Sequence, residues 1–455
     1  MPWGLGKRPF ETLDRNAGRL KISIESCARA RHLRPVETGR AQVASRGVAS
    51  AHCRPARHFL GSPILQAFSF QTVPQLVVER GASARLGQLL AARFSLAAVQ
   101  RICVVTDAFL HASGLLAPAL ASLRASGFEV LVIDDVQADP PEPVVAAVTA
   151  RARGFGAQLV LGLGGGSSLD VAKLVAVLLA GTQPLAGMYG VDKVQGERLP
   201  LVQVPTTAGT GSEVTPIAIV TTGDASGNAS KSGIVARQLY ADMAVLDATL
   251  TTGLPPAITA ATGIDAMVHA IEAFTSRRLK NPLSDTLALQ ALDLLSRHLL
   301  RVCQDGQDLA AREAMLLGSL LAGQAFANAP VAAVHALAYP LGARFHLPHG
   351  LSNALVLAPV LRFNAETAPE GYAQLADALV PGLSGDMAAK AQAFIRHLEA
   401  LIAATGLALR LRDHGITADA LPRLANDAML QTRLLINNPR DVSEADALAI
   451  YRSAF

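Results

Sequence analysis

Asp265 and His269 stand four residues apart in ATGIDAMVHAIEAF (261–274), a stretch that reads as helix. That spacing puts both side chains on one helix face, within reach of one ion; it is equally the spacing of a hydrogen-bonded pair. Their neighbours Ile264, Met267, Val268 and Ile271 are apolar, so the segment is expected to be buried. A buried carboxylate without a partner is expensive. Farther along, HALAYPLGARFHLPHG (335–350) holds three of the chain's eleven histidines: His335, His346 and His349. Asp265, His269, His335 and His349 together make one carboxylate and three imidazoles. That set suits a divalent first-row metal, Fe(II) or Zn(II), with room for a substrate oxygen. Mg and Ca prefer oxygen ligands throughout. His346, in a Pro-bounded loop, reads as surface or as support behind the ligands, with a substrate contact as the competing reading. Glu272 reads as such a support or as an ordinary helix acid.

Two turns carry a different chemistry. LGLGGGSSLDVAK (161–173) sets Gly164, Gly165 and Gly166 between an apolar strand and a helix. Glycine lets the backbone approach a ligand and adopt positive φ, and Ser167 or Ser168 is expected to cap the helix. A helix N-terminus favours an anion, so the turn predicts a phosphate cradle, with a purely structural tight turn as the competing reading. PTTAGTGSEVT (205–215) follows another strand, and its hydroxyls and N–H groups suit a ribose, a phosphate or an amide; an ordinary surface loop competes. Two such turns after neighbouring strands weigh more than either. Asp107 ends the strand RICVVTD (101–107). A carboxylate there accepts from a ribose hydroxyl and repels a 2′-phosphate, which in a dinucleotide site points to NAD rather than NADP. A solvated loop aspartate is the other reading.

These residues need elements to hold them. From about Gln66, β-branched runs at QLVVER, RICVVTD, EVLVIDD, AQLVLGLGGG, PLVQVPTT, PIAIVTT and MAVLDA predict strands. Ala/Leu-rich segments over 108–125 and 142–155 predict helices between the early ones. Such alternation, with near-continuous apolar strands, predicts a parallel sheet covered on both faces. After TGLPPA (252–257) the strand signal stops and helices run to Phe455, with breaks at Asn281-Pro282, Pro330, Pro348–Gly350 and Asn438-Pro439. The expected organisation is an α/β domain over 66–253, then an all-helical domain over 254–455. The cleft between them is the natural ligand site.

Composition narrows the function classes. Half the chain is hydrophobic and 17% is charged, as in folded enzymes rather than disordered proteins. No window reaches about 18 uninterrupted apolar residues, so no membrane span is expected. The net charge of +4 hides an asymmetry: residues 1–65 carry twelve Lys/Arg against four Asp/Glu, and the remainder twenty-eight against thirty-two. The body is mildly acidic, so the basic balance predicts no nucleic-acid partner. The first 65 residues lack hydrophobic periodicity and read as a flexible arm or a start assigned too far upstream. An Arg-rich transit leader is the competing reading. Cys27, Cys53, Cys103 and Cys303 form no close pair and no metal-type spacing, which fits a reducing cytoplasm.

GGGSSLDVAK, PTTAGTGSEVT, ATGIDAMVHAIEAF and HALAYPLGARFHLPHG, in this order, resemble the motifs of the iron-dependent, group III alcohol dehydrogenases. The resemblance runs from about Gln66 to Phe455. It implies an NAD(P)-binding α/β domain, a helical metal domain and hydride transfer in the cleft. By position it makes Asp265, His269, His335 and His349 the metal ligands. It lays the cofactor on Gly164–Ser168, Asp170, Thr206, Thr207, Thr210 and Thr215, and against Asp107. Lys231 matches a family lysine that contacts the cofactor; without the resemblance it reads as a solvated surface lysine. Phe326 matches an aromatic of the substrate pocket, and otherwise reads as core. The resemblance also implies a homo-oligomer, a dimer.

The sequence departs from the family at one place. Many members carry a second histidine four residues after the His335 position, where this chain has Tyr339. At i,i+4 from His335 it is expected to face the cleft. An ordinary phenol, with a pKa near ~10, is a poor proton relay at neutral pH. The intact ligand set argues against a metal-independent reductase of the maleylacetate reductase type, and a dehydroquinate-synthase-like lyase lacks its basic phosphate-binding residues here. A metallohydrolase has no use for the two turns. No cluster of Arg or Lys beside the motifs asks for an anionic substrate, so short alcohols, diols, hydroxyacids and aryl alcohols are the candidates.

Overall fold

Ile102 and Val104 face one side of their strand, Cys103 and Val105 the other, and all four are buried. Strand side chains alternate, so this run requires cover on both faces of a sheet. The computed structural model describes residues 67–223, 230–380 and 382–455. The arm expected over 1–65, with Cys27 and Cys53, lies outside them.

The strands are β1 (Leu76–Val78), β2 (Arg101–Val105), β3 (Glu129–Ile133), β4 (Leu159–Gly164), β5 (Gly190–Val191), β6 (Leu201–Pro205), β7 (Ile217–Thr222), β8 (Ser230–Val235) and β9 (Met243–Leu246). Among them run α1 (Leu86–Arg93), α2 (Ala108–Ala112), α3 (Ala117–Ala125), α4 (Glu142–Phe155) and α5 (Gly166–Ala180). Six strands form a parallel sheet in the order β1-β9-β6-β4-β2-β3. Leu86, Leu90 and Leu123 of α1 and α3 pack with Ile102 and Leu161 on one face. Val145, Val148 and Leu174 of α4 and α5 join Cys103 and Val160 on the other.

The expected parallel sheet is present, with two corrections. PIAIVTT forms β7, which leaves the main sheet and pairs antiparallel with β8, with β5 completing a second sheet of three strands. The helix expected over 108–125 is two helices, parted at Gly114, whose φ of 79° no helix accommodates.

From Pro256 onward every described element is helical: α6 (Pro256–Thr275), α7 (Pro282–Gln304), α8 (Leu309–Asn328), α9 (Ala333–Phe345), α10 (His349–Ala365), α11 (Glu370–Leu379), α12 (Met387–Ala404), α13 (Leu421–Met429), α14 (Thr432–Leu435) and α15 (Glu444–Ala454), with short 3-10 turns between some of them. The prolines act where the sequence places them. Asn281 caps α7 ahead of Pro282, and Pro348 immediately precedes α10. Among the described residues no single helix is long and apolar enough to cross a membrane.

One contact ties the Thr-rich turn to the helical half. Gly211, at φ 59°, lies so close to α8 that a Cβ on it would meet the Cα of Gly323 at 2.6 Å. Gly211→Ala is expected to destabilise the protein by about 1–3 kcal/mol, because the overlap is with backbone rather than a movable side chain. Urea unfolding measures this, and an unchanged midpoint would refute the contact's importance.

Candidate active site

β2, β4 and β6 are parallel neighbours, so their carboxyl ends share one edge of the sheet. The chain leaves β2 for β3 on one side and returns to β4 on the other, which opens a crevice at the point of reversal. Asp107, the Gly164–Ser168 turn and the Thr206–Thr207 turn all stand at that edge. Thr206 N–H donates to the Gly164 carbonyl at 3.0 Å and joins the last two.

The glycine run works differently from the sequence expectation. Neither Ser167 nor Ser168 caps α5; Gly165 holds the cap position and offers no side chain. The first-turn N–H groups of α5 are thus left to a ligand. None of Gly164, Gly165 and Gly166 adopts positive φ. Two of them are needed for room: a Cβ on Gly164 would meet Ser168 Oγ at 2.7 Å, and one on Gly166 would meet Thr210 Cγ2 at 2.6 Å.

Gly166, Ser167, Thr207, Thr210, Thr215 and Lys231 line a cavity of about 370 Å³. Asp107, Gly164, Gly165, Ser168 and Thr206 are not among its lining residues. Asp107 caps α2 by accepting from Leu110 N–H at 2.9 Å. Asp170 reaches the cavity, but its oxygens are engaged by Ser212 Oγ at 2.6 Å and Ile219 N–H at 2.9 Å. It therefore positions the Thr-rich turn and β7 rather than standing free for a cofactor. Behind it the buried Lys173 ammonium donates to Ser212 Oγ and the Ile217 carbonyl. Lys231 is not a solvated surface residue: it is buried and paired with Asp139 at 2.6 Å.

At the far wall stand His269, His335, His349, Phe326 and Tyr339. One donor atom each from Asp265, His269, His335 and His349 lies within 4.8 Å of all the others. Their positions follow from local structure: α6 carries the i,i+4 pair, α9 carries His335, and His349 opens α10. Gly350 lets α10 approach α6, since a Cβ there would sit 2.2 Å from the Ala261 carbonyl oxygen.

Hydrogen bonds orient the rings. His335 Nδ1–H donates to Glu272 Oε2 at 2.6 Å, and His269 Nδ1–H to the Gly209 carbonyl at 3.2 Å. Each bond leaves Nε2, with its lone pair, for an ion. Burial pushes the His269 imidazole down to about 4 and moves His349 in the same direction. Both rings are therefore neutral at neutral pH. Asp265, 2% exposed, has only histidines as ion-pair partners among the described residues. A buried carboxylate with no Lys or Arg beside it lacks a permanent counter-charge, and a divalent cation at the convergence would supply one. The donor set fits such a metal.

The low His269 pKa has a consequence for the metal-free protein. Unfolded, the ring takes a proton near pH 6.5; folded, it resists to about 4, so stability is lost as pH falls through that window. Chelator-treated protein is expected to melt lower at pH 5 than at pH 7, and His269→Gln to flatten the slope. An equal slope in the variant would contradict the assignment.

Phe326 stacks on the His269 ring at 4.2 Å and 17°, so it belongs to the site rather than to the plain core. Tyr339 does face the cleft, its ring 5.8 Å from that of His349. Burial raises its pKa, against the pull of the neighbouring Arg433, so the phenol stays protonated at neutral pH. His346 is exposed, at φ 54°, and takes no part.

Three participants escaped the sequence reading. Asn353 Nδ2 donates to Asp265 Oδ1 at 2.6 Å; its place four residues after His349 was the available signal. Asp139 and Arg433, which come to the cavity from a loop and from α14, had none.

Comparison with known proteins agrees with this geometry. Residues 74–248 match the family model described as iron-containing alcohol dehydrogenase, and residues 259–455 the C-terminal model of the Fe-containing alcohol dehydrogenase family. The chain is 41% identical over 362 residues to long-chain-alcohol dehydrogenase 1 of Geobacillus thermodenitrificans, covering 78% of this chain and 90% of that protein. The fold is similar to a solved 1,3-propanediol oxidoreductase, with TM-score 0.81 and 32% identity over 86% of this chain and all of that one. It is also similar to a sulfoacetaldehyde reductase from Bifidobacterium kashiwanohense solved with NAD+, with TM-score 0.74 and 26% identity over 86% of this chain and 99% of that one. With both halves matched and the site intact, this chain belongs to the iron-containing alcohol dehydrogenase family and is an oxidoreductase of that class.

Proposed function

We propose that the protein is an NAD-dependent, metal-dependent alcohol dehydrogenase that interconverts a small alcohol and its aldehyde or ketone. The observation that carries this is the convergence of one carboxylate and three imidazoles on the wall of the cavity that the two phosphate-type turns also line. In this reading residues 66–253 are the cofactor domain and 254–455 the metal domain. Asp265, His269, His335 and His349 hold Fe(II), with Zn(II) a chemically suitable substitute. When bound there, the cation supplies Lewis acidity toward the substrate oxygen, and the nicotinamide supplies the hydride carrier.

The chain's own residues do the rest. The α5 N-terminus and Thr207, Thr210 and Thr215 receive the diphosphate and ribose groups, with Lys231 alongside. Asp107, with one oxygen free of its cap, favours the ribose hydroxyl of NAD over the phosphate of NADP. Phe326, Val331 and Ile219 give the substrate an apolar, water-poor wall. Tyr339, held protonated, donates a hydrogen bond in the cleft rather than acting as a base. The NAD+ complex of the Bifidobacterium relative supports the cofactor. The alcohol and propanediol activities of the other two support the substrate class. The intact ligand set speaks against a metal-independent reductase, and the missing basic phosphate-binding residues speak against a dehydroquinate-synthase-like lyase.

A homodimer in a reducing cytoplasm completes the reading. Light scattering of the purified protein tests the first, and a tagged full-length chain the second. NADH formation from NAD with a panel of alcohols, with Fe(II), with Zn(II) and after chelation, tests the activity. Turnover equal in all three conditions would remove the metal from the mechanism.

A further inference from the structure

The cavity holds one cation that neither the metal ligands nor the phosphate-type turns account for. Arg433, on α14, lines the same cavity as Tyr339, His349 and Phe326. No Arg or Lys beside the motifs asked for an anionic substrate, and hydroxyacids stood among several candidates; the fold brings this guanidinium in from 84 residues after His349. The two acidic side chains on the cavity wall are already committed. Asp139 pairs with Lys231 at 2.6 Å, and Asp170 is taken by Ser212, Ile219 N–H and Lys173. Among the described residues no carboxylate lies within ion-pair distance of Arg433, which is itself half-buried.

The surroundings make room for that head group. Gly233 on β8 faces it, and a Cβ there would meet Arg433 Nη2 at 3.1 Å. Gly233 and Lys231 lie two apart on one face of the strand, so the hairpin turns the same side toward both. Arg433 also acts on the Tyr339 phenol, whose ring is 5.8 Å from that of His349. Tyr339 thus neighbours both the guanidinium and one of the candidate ligands. Arg433 and the ligands His269, His335 and His349 line one cavity of about 370 Å³, so a short-chain substrate can meet the ligands with one end and the guanidinium with the other.

A half-buried guanidinium without a counter-charge favours a ligand that brings one, and its fork matches the paired oxygens of a carboxylate or sulfonate. We propose that Arg433 is a specificity-determining residue that binds an anionic terminus of the substrate, so that the preferred substrates are short carbonyl or hydroxy compounds ending in a carboxylate or sulfonate. This rests on the dehydrogenase reading of the same site.

The test compares 4-oxobutanoate, 3-sulfopropanal and butanal as substrates with NADH, in the wild type, Arg433→Gln and Arg433→Lys. The wild type is expected to favour an anionic aldehyde over butanal. In Arg433→Gln that kcat/KM ratio is expected to fall roughly 30-fold or more, with partial recovery in Arg433→Lys. Comparing the two anionic aldehydes decides between carboxylate and sulfonate. Calorimetric binding of 4-hydroxybutyrate, expected to weaken in Arg433→Gln, reads the same contact without turnover, and retained butanal kcat/KM shows that the variant is folded. A wild type that prefers butanal, or a ratio unmoved by either substitution, would overturn the proposal while leaving the dehydrogenase standing. An equal loss on all three aldehydes with a raised KM for NADH would make Arg433 a cofactor contact and overturn it as well. No turnover of any aldehyde would overturn the dehydrogenase reading and this inference with it.

Discussion

Replacing His269 with alanine is expected to remove the bound divalent metal and lower kcat by about 10³-fold or more. His269 supplies one of four donors, its Nε2 freed for the ion by the Nδ1 bond to the Gly209 carbonyl. Its loss leaves the Asp265 carboxylate and two imidazoles, three donors in all. The Phe326 ring, stacked on His269 at 4.2 Å, loses its neighbour as well, so the substrate wall loosens at the same time. Elemental analysis of protein purified without oxygen, with steady-state kinetics, measures both effects. A His269→Ala protein that keeps stoichiometric metal or wild-type kcat would contradict the ligand assignment. His349→Ala is expected to behave alike, though His349 is the more exposed ring and its loss disturbs less packing.

The second large effect belongs to Glu272. This buried carboxylate accepts from Ala332 N–H at 3.0 Å, Val334 N–H at 2.7 Å and His335 Nδ1–H at 2.6 Å. α9 has no side-chain cap of its own, so Glu272 on α6 supplies the acceptor its first turn needs. The same group fixes the His335 ring and makes its Nε2 a better donor to an ion. Glu272→Gln keeps the shape but turns one acceptor into a donor. It is expected to weaken metal binding about 10- to 100-fold and to cost about 1–3 kcal/mol of stability. Chelator competition reads the first and urea unfolding of the metal-free protein the second. Unchanged metal affinity with reduced stability would leave Glu272 as a helix cap only.

Glu272 also shows what a sequence can carry. Its distance from His269 made it a candidate, but its work is done 60 to 63 residues away, at the start of α9. Local patterns were readable: β-branched runs marked β2, β3, β4, β6 and β9, and the i,i+4 rule put Asp265 and His269 on one face. β8 was not, because SKSGIV opens with two serines, a lysine and a glycine and is held by pairing with β7 rather than by an apolar face. β7 was visible as a strand, yet periodicity says nothing about which sheet it joins. The serine cap failed because the chain reaches helical geometry at Gly166, one residue ahead of Ser167. Donor chemistry grouped the Asp265–His269 pair with His335 and His349, and the resemblance of four motifs in order supported it, but no spacing rule could show their convergence, since the ligands come from three helices. Arg433 had neither a pattern nor a motif to announce it.

Tyr339 links these results. Its raised pKa keeps the proton on the phenol, so it donates but does not relay as an ordinary base. An ion held by Asp265, His269, His335 and His349 would therefore supply the stabilisation of charge at the reacting oxygen, and its indispensability is the central claim. The most direct test is one titration: chelator-stripped wild-type protein, NAD and an alcohol it oxidises, with Fe(II) or Zn(II) added stepwise under nitrogen and NADH absorbance followed. The account predicts no NADH without metal and a rise that saturates at one ion per chain. Undiminished NADH formation by the stripped protein would contradict it.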